Sequence, residues 1–158
     1  MAYREITTVE NEVLRKKSKI VKEFVQDDES LGILLDDMAQ TLERTDNGVG
    51  LAAPQVGILK RVVIINLNNM FLELVNPTII SKSKEEETCE EACLSVPGKR
   101  GLVKRPLEVT VQAFDRYGNK FIIKGEKFLA RCLCHELDHL DGILYIDIME
   151  KELKENKK

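Results

Sequence analysis

The stretch EKFLARCLCHELDHL, residues 126–140, decides how the rest of the chain is read. Phe128, Leu129, Cys132, Leu133, Leu137 and Leu140 recur at helical spacing, and Gly142, just past Asp141, is a natural stop. The spacing predicts a helix over 126–140, and its apolar residues cover more than one face, as in a helix buried inside a domain. The same helix carries His135 and His139, the only histidines of the chain, with Glu136 between them. Positions i and i+4 share a helix face, so both imidazoles can reach one cation, while Glu136 stands beside it to handle protons rather than to bind. Buried imidazoles and carboxylates need partners, and a metal supplies them. The pattern points to metal-assisted hydrolysis. Taken alone it also fits a helix with two ordinary histidines and a solvated Glu-Leu-Asp stretch.

Outward from this helix, the chain reads as one of helices and antiparallel strands. A helix is predicted over 28–44, where Leu31, Leu34, Leu35, Met38 and Leu42 form one apolar stripe behind the capping residues Asp27, Asp28 and Ser30. Asn47-Gly48 ends it and opens the glycine-containing stretch 48–55. RVVIINL (61–67) reads as a buried strand, 72–80 as a second interrupted at Pro77, and 107–114 as a half-buried strand turned by 115–119 into a further strand at 120–123. Residues 85–93 are acidic and then thiol-bearing. The expected fold is α+β, with antiparallel sheets packed around the buried metal-binding helix. A single catalytic domain is expected over residues 1–148, followed by a charged tail at 149–158 that alternates Glu and Lys as a solvated helical end or a frayed terminus.

The 158 residues suffice for a single well-buried core. With 43% hydrophobic and 32% charged residues the composition is that of an ordinary globular protein, and a net charge of −3 argues against coating nucleic acid. No sequence-specific nucleic-acid partner and no membrane partner are expected, since no apolar run reaches spanning length and the start lacks a signal-like apolar segment. The expected location is the cytoplasm and the expected state a monomer. Cys89, Cys93, Cys132 and Cys134 are then reduced thiols. Cys132 shares a face with both histidines and can line the site.

Two histidines leave at least one protein ligand to find. The downstream carboxylates Glu150, Glu152 and Glu155 lie in the charged tail, whereas Cys93, in a short segment before Pro97-Gly98, offers a thiolate suited to a zinc- or iron-type cation. Three protein ligands and a solvent molecule make an open, catalytic site. A rival arrangement pairs Cys89-x3-Cys93 with His135-x3-His139 in a closed structural site without catalysis.

Three separated segments, GVGLAAPQ (48–55), EACLS (91–95) and HELDH (135–139), resemble in order and spacing the three signature motifs of the peptide deformylase family. Ala92 stands where the commonest family form has Gly, and Cys134 where the family often has Gln. The resemblance implies removal of the formyl group from the N-terminal formylmethionine of nascent polypeptides, with release of formate. It implies one divalent metal per chain on Cys93, His135 and His139, typically ferrous iron, with zinc, nickel or cobalt able to replace it. It further implies that Glu136 moves the proton and that the Gln55 amide and the Leu94 backbone N–H stabilise the developing oxyanion. Gly48, Val49 and Gly50 would meet the peptide main chain, with Val49, Phe128 and Cys132 lining the methionine pocket and Arg100 at the cleft mouth. An ion pair between Asp138 and Arg105 is also implied. Some family members work at the ribosome through a C-terminal segment, which makes Lys151, Lys154, Lys157 and Lys158 candidates for a transient ribosome contact. The alternatives are a catalytically silent metal-binding relative and a general metallopeptidase.

Overall fold

The buried helix runs Phe128–Leu140 (α2), two residues shorter at its start than the spacing predicts. In the computed structural model, which describes residues 2–46 and 48–153, Gly142 closes it with φ 75° and donates its N–H to His139 O, while Ile143 donates to Asp138 O. Such a turn needs the left-handed backbone that glycine adopts without a Cβ penalty.

A five-stranded antiparallel sheet supports α2. Its strands β1 (Gly50–Ala52), β2 (Val62–Leu67), β3 (Met70–Lys82), β6 (Glu108–Phe114) and β7 (Lys120–Glu126) lie in the order β1-β2-β3-β6-β7. A second sheet, β4-β5-β8, is formed by β4 (Glu86–Cys93), β5 (Val96–Pro106) and β8 (Lys151–Leu153). The continuous apolar run of β2 has a direct cause. Val63 and Ile65 pack toward α2 with Leu74, Val111, Leu133 and Leu137, whereas Val62 and Ile64 pack toward helix α1 (Ser30–Glu43) with Leu31, Leu35 and Met38. Successive strand side chains face opposite ways, so a sheet covered on both faces loses its polar alternation. A third cluster, Leu14, Val96, Val103, Leu144 and Tyr145, fills the space under the smaller sheet, against the short helix α3 (Tyr145–Ile148). The α+β architecture around a buried helix is as the sequence predicts.

Several boundaries differ from expectation. Helix α1 starts at Ser30, because Asp28 Oδ1 accepts the Ser30 N–H at 2.8 Å and so acts from outside the helix. Strand β3 runs longer than expected, Met70–Lys82, and the interruption at Pro77 takes the form of a bulge. The register shifts between Val75 and Thr78, Asn76 takes φ 50°, and its side chain bonds both Val21 N and Val21 O, so a bulge absorbs the missing proline N–H. Strand β5 was not foreseen: Lys99, Arg100, Lys104 and Arg105 hide its alternation. The expected helical or frayed reading of the tail is corrected at Lys151–Leu153, which pairs with Leu102, Gly101 and Arg100 of β5. Asn47 of the predicted helix stop and tail residues 154–158, with Lys154, Glu155, Lys157 and Lys158, lie outside the described residues. No helix among the described residues is long and apolar enough to cross a membrane.

Candidate metal centre

Cys93 ends β4 at the tight turn where the chain reverses into β5, and its register partner is Val96. That turn faces the side of α2 bearing His135 and His139. The three donor atoms lie within 4.8 Å of one another, with Cys93 Sγ 3.3 Å from His139 Nε2. Ligands sharing one tetrahedral cation at ordinary Zn–S and Zn–N bond lengths stand about 3.5 Å apart, so the donor set fits a metal in both spacing and chemistry. His139 is 1% exposed, and burial pushes its pKa well below the usual imidazole value, leaving a neutral ring with a lone pair to offer. Cys89 is outside the group and donates instead to Glu87 Oε1 at 3.0 Å, so the closed two-cysteine, two-histidine site is not formed.

His135 is aimed by Glu91, whose Oε1 lies 2.9 Å from His135 Nδ1. An acceptor on Nδ1 fixes the tautomer and leaves Nε2 free for the cation. The same carboxylate receives Arg105 Nε and Nη2, each at 2.9 Å, and Arg131 Nη1 at 2.6 Å. Arg105 reaches on to Asp138 Oδ2 at 2.6 Å, which joins the pair implied by the resemblance, and Arg131 also caps Val103 O and Glu87 O. Burial alone would raise Glu91, but the bonds from Arg105 and His135 outweigh it and hold the carboxyl down at about 2. Glu91 and Arg131 were not singled out from the sequence. Period-two alternation along β4 contains the signal for Glu91: Cys89, Glu91 and Cys93 share one strand face.

Glu136 is buried beside the donors, and its Oε1 has no hydrogen-bond partner among the described residues. Desolvation pushes its pKa up to about 7, where a carboxyl can take and return a proton near neutrality; a neighbouring cation would draw it down again. Gln55, in the 3-10 turn Ala53–Val56, is 1% exposed. Its Oε1 accepts the Ala52 N–H at 2.9 Å, which turns the amide nitrogen toward Ser95 Oγ at 3.1 Å and Cys93 Sγ at 3.6 Å.

A cavity of about 400 Å³ opens onto this group, and Gly48, Val49, Gly50, Leu94, Phe128 and Cys132 are among its lining residues. Phe128 is half exposed at the lip. Burial pushes the Cys132 thiol up to about 12 and the Cys134 thiol up to about 11, so both behave as apolar side chains. Arg100 is not on the cavity wall; it pairs with Glu90, which is. Lys99 stands on the rim beside it. Tyr145 stacks on His135 with ring centroids 6.0 Å apart, a neighbour that sequence reading did not identify.

The geometry has close parallels among known proteins. Residues 3–155 match the family model for polypeptide deformylase. The chain is 48% identical to peptide deformylase 2 of Clostridium acetobutylicum over 154 residues, covering 98% of this chain and 100% of that one. It is 49% identical to the peptide deformylase of Caldicellulosiruptor bescii over 162 residues, covering 99% and 95%. Among solved structures, the peptide deformylase of Thermotoga maritima superposes with a TM-score of 0.90 at 35% identity, over 95% of this chain and 99% of that one. That of Ehrlichia chaffeensis in complex with actinonin superposes at 0.89 with 38% identity, over 96% and 91%. The chain belongs to the polypeptide deformylase family.

Proposed function

We propose that this protein removes the formyl group from the N-terminal formylmethionine of nascent polypeptides and releases formate. The observation that carries the reading is the meeting of Cys93, His135 and His139 beside a buried Glu136, whose Oε1 has no donor among the described residues, in a chain of this family. Cys93, His135 and His139 would hold one divalent cation, which when bound supplies Lewis acidity toward water and the formyl carbonyl. A mixed thiolate and imidazole set suits ferrous iron, and also zinc, nickel or cobalt; we take ferrous iron as the working metal.

The chain's own groups complete the chemistry. Glu136 accepts the proton of the attacking water and returns it to the departing α-amine, so a single buried carboxyl serves both halves of the reaction. The Gln55 amide, locked by Ala52, and the Leu94 backbone N–H stabilise the oxygen on which charge develops. Glu91 keeps His135 in one tautomer and orientation. Val49, Phe128 and Cys132 give the methionine side chain an apolar seat, while Gly48, Val49 and Gly50 pair with the peptide main chain. Arg100, paired with Glu90 outside the cavity, meets the peptide beyond it in this reading. Residues 1–148 carry the chemistry, Lys151–Leu153 brace β5, and the charged segment 149–158 makes a transient ribosome contact. The protein acts as a cytoplasmic monomer. A catalytically silent relative and a general metallopeptidase are both less favoured, since ligands and Glu136 are all present and the third donor is a thiol.

The test is to incubate metal-loaded protein with formyl-Met-Ala-Ser and with its acetyl counterpart, and to follow formate and free amine. Formate from the first peptide and no turnover of the second is expected. No formate from a properly loaded sample would reject the reading.

A further inference from the structure

We propose that Gly50 is the positioning residue for Glu136: its bare Cα leaves the space in which the Glu136 carboxylate rests, and this packing sets where the carboxylate sits. The inference rests on the proposed reading, in which Glu136 moves the proton. A Cβ built on Gly50 would lie 2.7 Å from Glu136 Oε2, 2.9 Å from Cγ and 3.0 Å from Cδ. The entire end of the side chain would have to move to admit a methyl group. Because Glu136 Oε1 has no hydrogen-bond partner among the described residues, packing is left to orient the carboxylate.

The wall is built to stay in place. Gly50 is paired with Ile65 of β2, and two residues on the Ala52 N–H is tied to Gln55. At Gly48, which also lines the cavity, the missing side chain makes room for different neighbours. A Cβ built there would meet Thr45 Oγ1 at 2.2 Å and Leu42 Cδ1 at 2.7 Å, at the end of α1 rather than Glu136. Residue 50 therefore has a requirement beyond main-chain pairing with a peptide. Alanine keeps the backbone N–H and C=O, so it retains the groups that pair with substrate and loses only the seat. Lost pairing would appear in KM; a displaced Glu136 appears in kcat.

The experiment is a double-mutant cycle on the metal-loaded full chain: wild type, Gly50→Ala, Glu136→Asp and the double variant, with formyl-Met-Ala-Ser as substrate and metal content measured for each. Gly50→Ala is expected to lower kcat roughly 10- to 100-fold, the scale of a sub-ångström to ångström misplacement, with KM and metal content little changed. In the Glu136→Asp background, where the shorter side chain withdraws from residue 50, the same methyl should lower kcat less than about 3-fold. Equal losses in both backgrounds, or a loss confined to KM, would overturn the proposal. Should Gly50→Ala fail to fold, Gly50→Ala/Glu136→Ala must recover the Tm of Glu136→Ala; failure to recover is equally fatal. If wild type releases no formate, the hydrolase reading fails instead, and the Tm cycle still reads the packing between the two residues.

Discussion

In the proposed mechanism Glu136 faces two demands that oppose each other. It must sit close enough to a metal site to exchange protons with water, yet stay out of the ligand set so that its oxygens remain free. Its place on α2 between His135 and His139 meets the first, and the absence of a donor to Oε1 among the described residues meets the second. Glu136→Gln keeps the shape and loses the proton acceptor. It should retain about one metal per chain while formate release falls by roughly 10²- to 10⁴-fold; turnover near the wild-type value would remove Glu136 from the proposed mechanism. In the same proposal burial of Gln55 has a similar logic: fixed by Ala52, its amide would be oriented before substrate arrives and need no rearrangement during the reaction.

The Glu91 carboxylate of strand β4 bonds both Arg131 and His135 of helix α2, and that junction should set the acid sensitivity of the protein. Glu91 is held at about 2 against an ordinary 4.5, by Arg105 and His135 and against its own burial. A carboxyl with a depressed pKa adds stability in full above its ordinary value, and that contribution is lost as pH falls toward the folded value. The Glu91 contribution is therefore complete above pH 4.5 and disappears between there and about pH 2. Glu91→Gln should lose about 3 kcal/mol near neutrality, because Arg105 and Arg131 are left buried beside a neutral amide. The gap to wild type should narrow as acid is added. Denaturation followed by circular dichroism across this range checks it, and a gap constant from about pH 7 down to about pH 2.5 would refute the assignment.

The start of α2 carries a separate strain. Lys127, its N-cap, has φ 53° and ψ −118°, outside the left-handed basin that lysine can reach at modest cost. Its backbone N–H is tied to Leu107 O at 2.8 Å, which holds the turn in place. Strain of this kind costs about 1–3 kcal/mol, and glycine lacks the Cβ that causes it. Lys127→Gly should raise the stability by about 1 kcal/mol in denaturant unfolding; a loss of stability would show the lysine conformation to be unstrained.

Over the whole molecule, legibility followed chemistry and periodicity. The metal helix was readable because ligand spacing and helical spacing coincide in residues 126–140. Strand β2 was readable because both of its faces are covered, which leaves an unbroken apolar run. The donors meet as read, with Cys93 brought to the histidines by the β4–β5 turn. Strand β5 was hidden because its outward residues are charged and Arg105, though charged, points inward to Glu91 and Asp138. Arg131 was overlooked for a related reason: a cation on a buried helix makes sense only once Glu91 is placed opposite it. The tail misled because alternating Glu and Lys suit both a solvated helix and an edge strand. Met149 packs against Gly101 and joins the Tyr145 cluster, and Glu150 N–H is bonded to Leu102 O. Removing residues 149–158 should therefore lower Tm by several degrees, as expected from about 1 kcal/mol or more in a domain of this size; an unchanged Tm would restore the picture of a free tail.

The central claim, that one thiolate and two imidazoles hold a single cation, is tested most directly by the metal-to-chain ratio of anaerobically purified protein. Wild type should carry close to one divalent ion per chain, and Cys93→Ala, after the same dialysis, should carry almost none. Full metal occupancy without Cys93 would contradict the account.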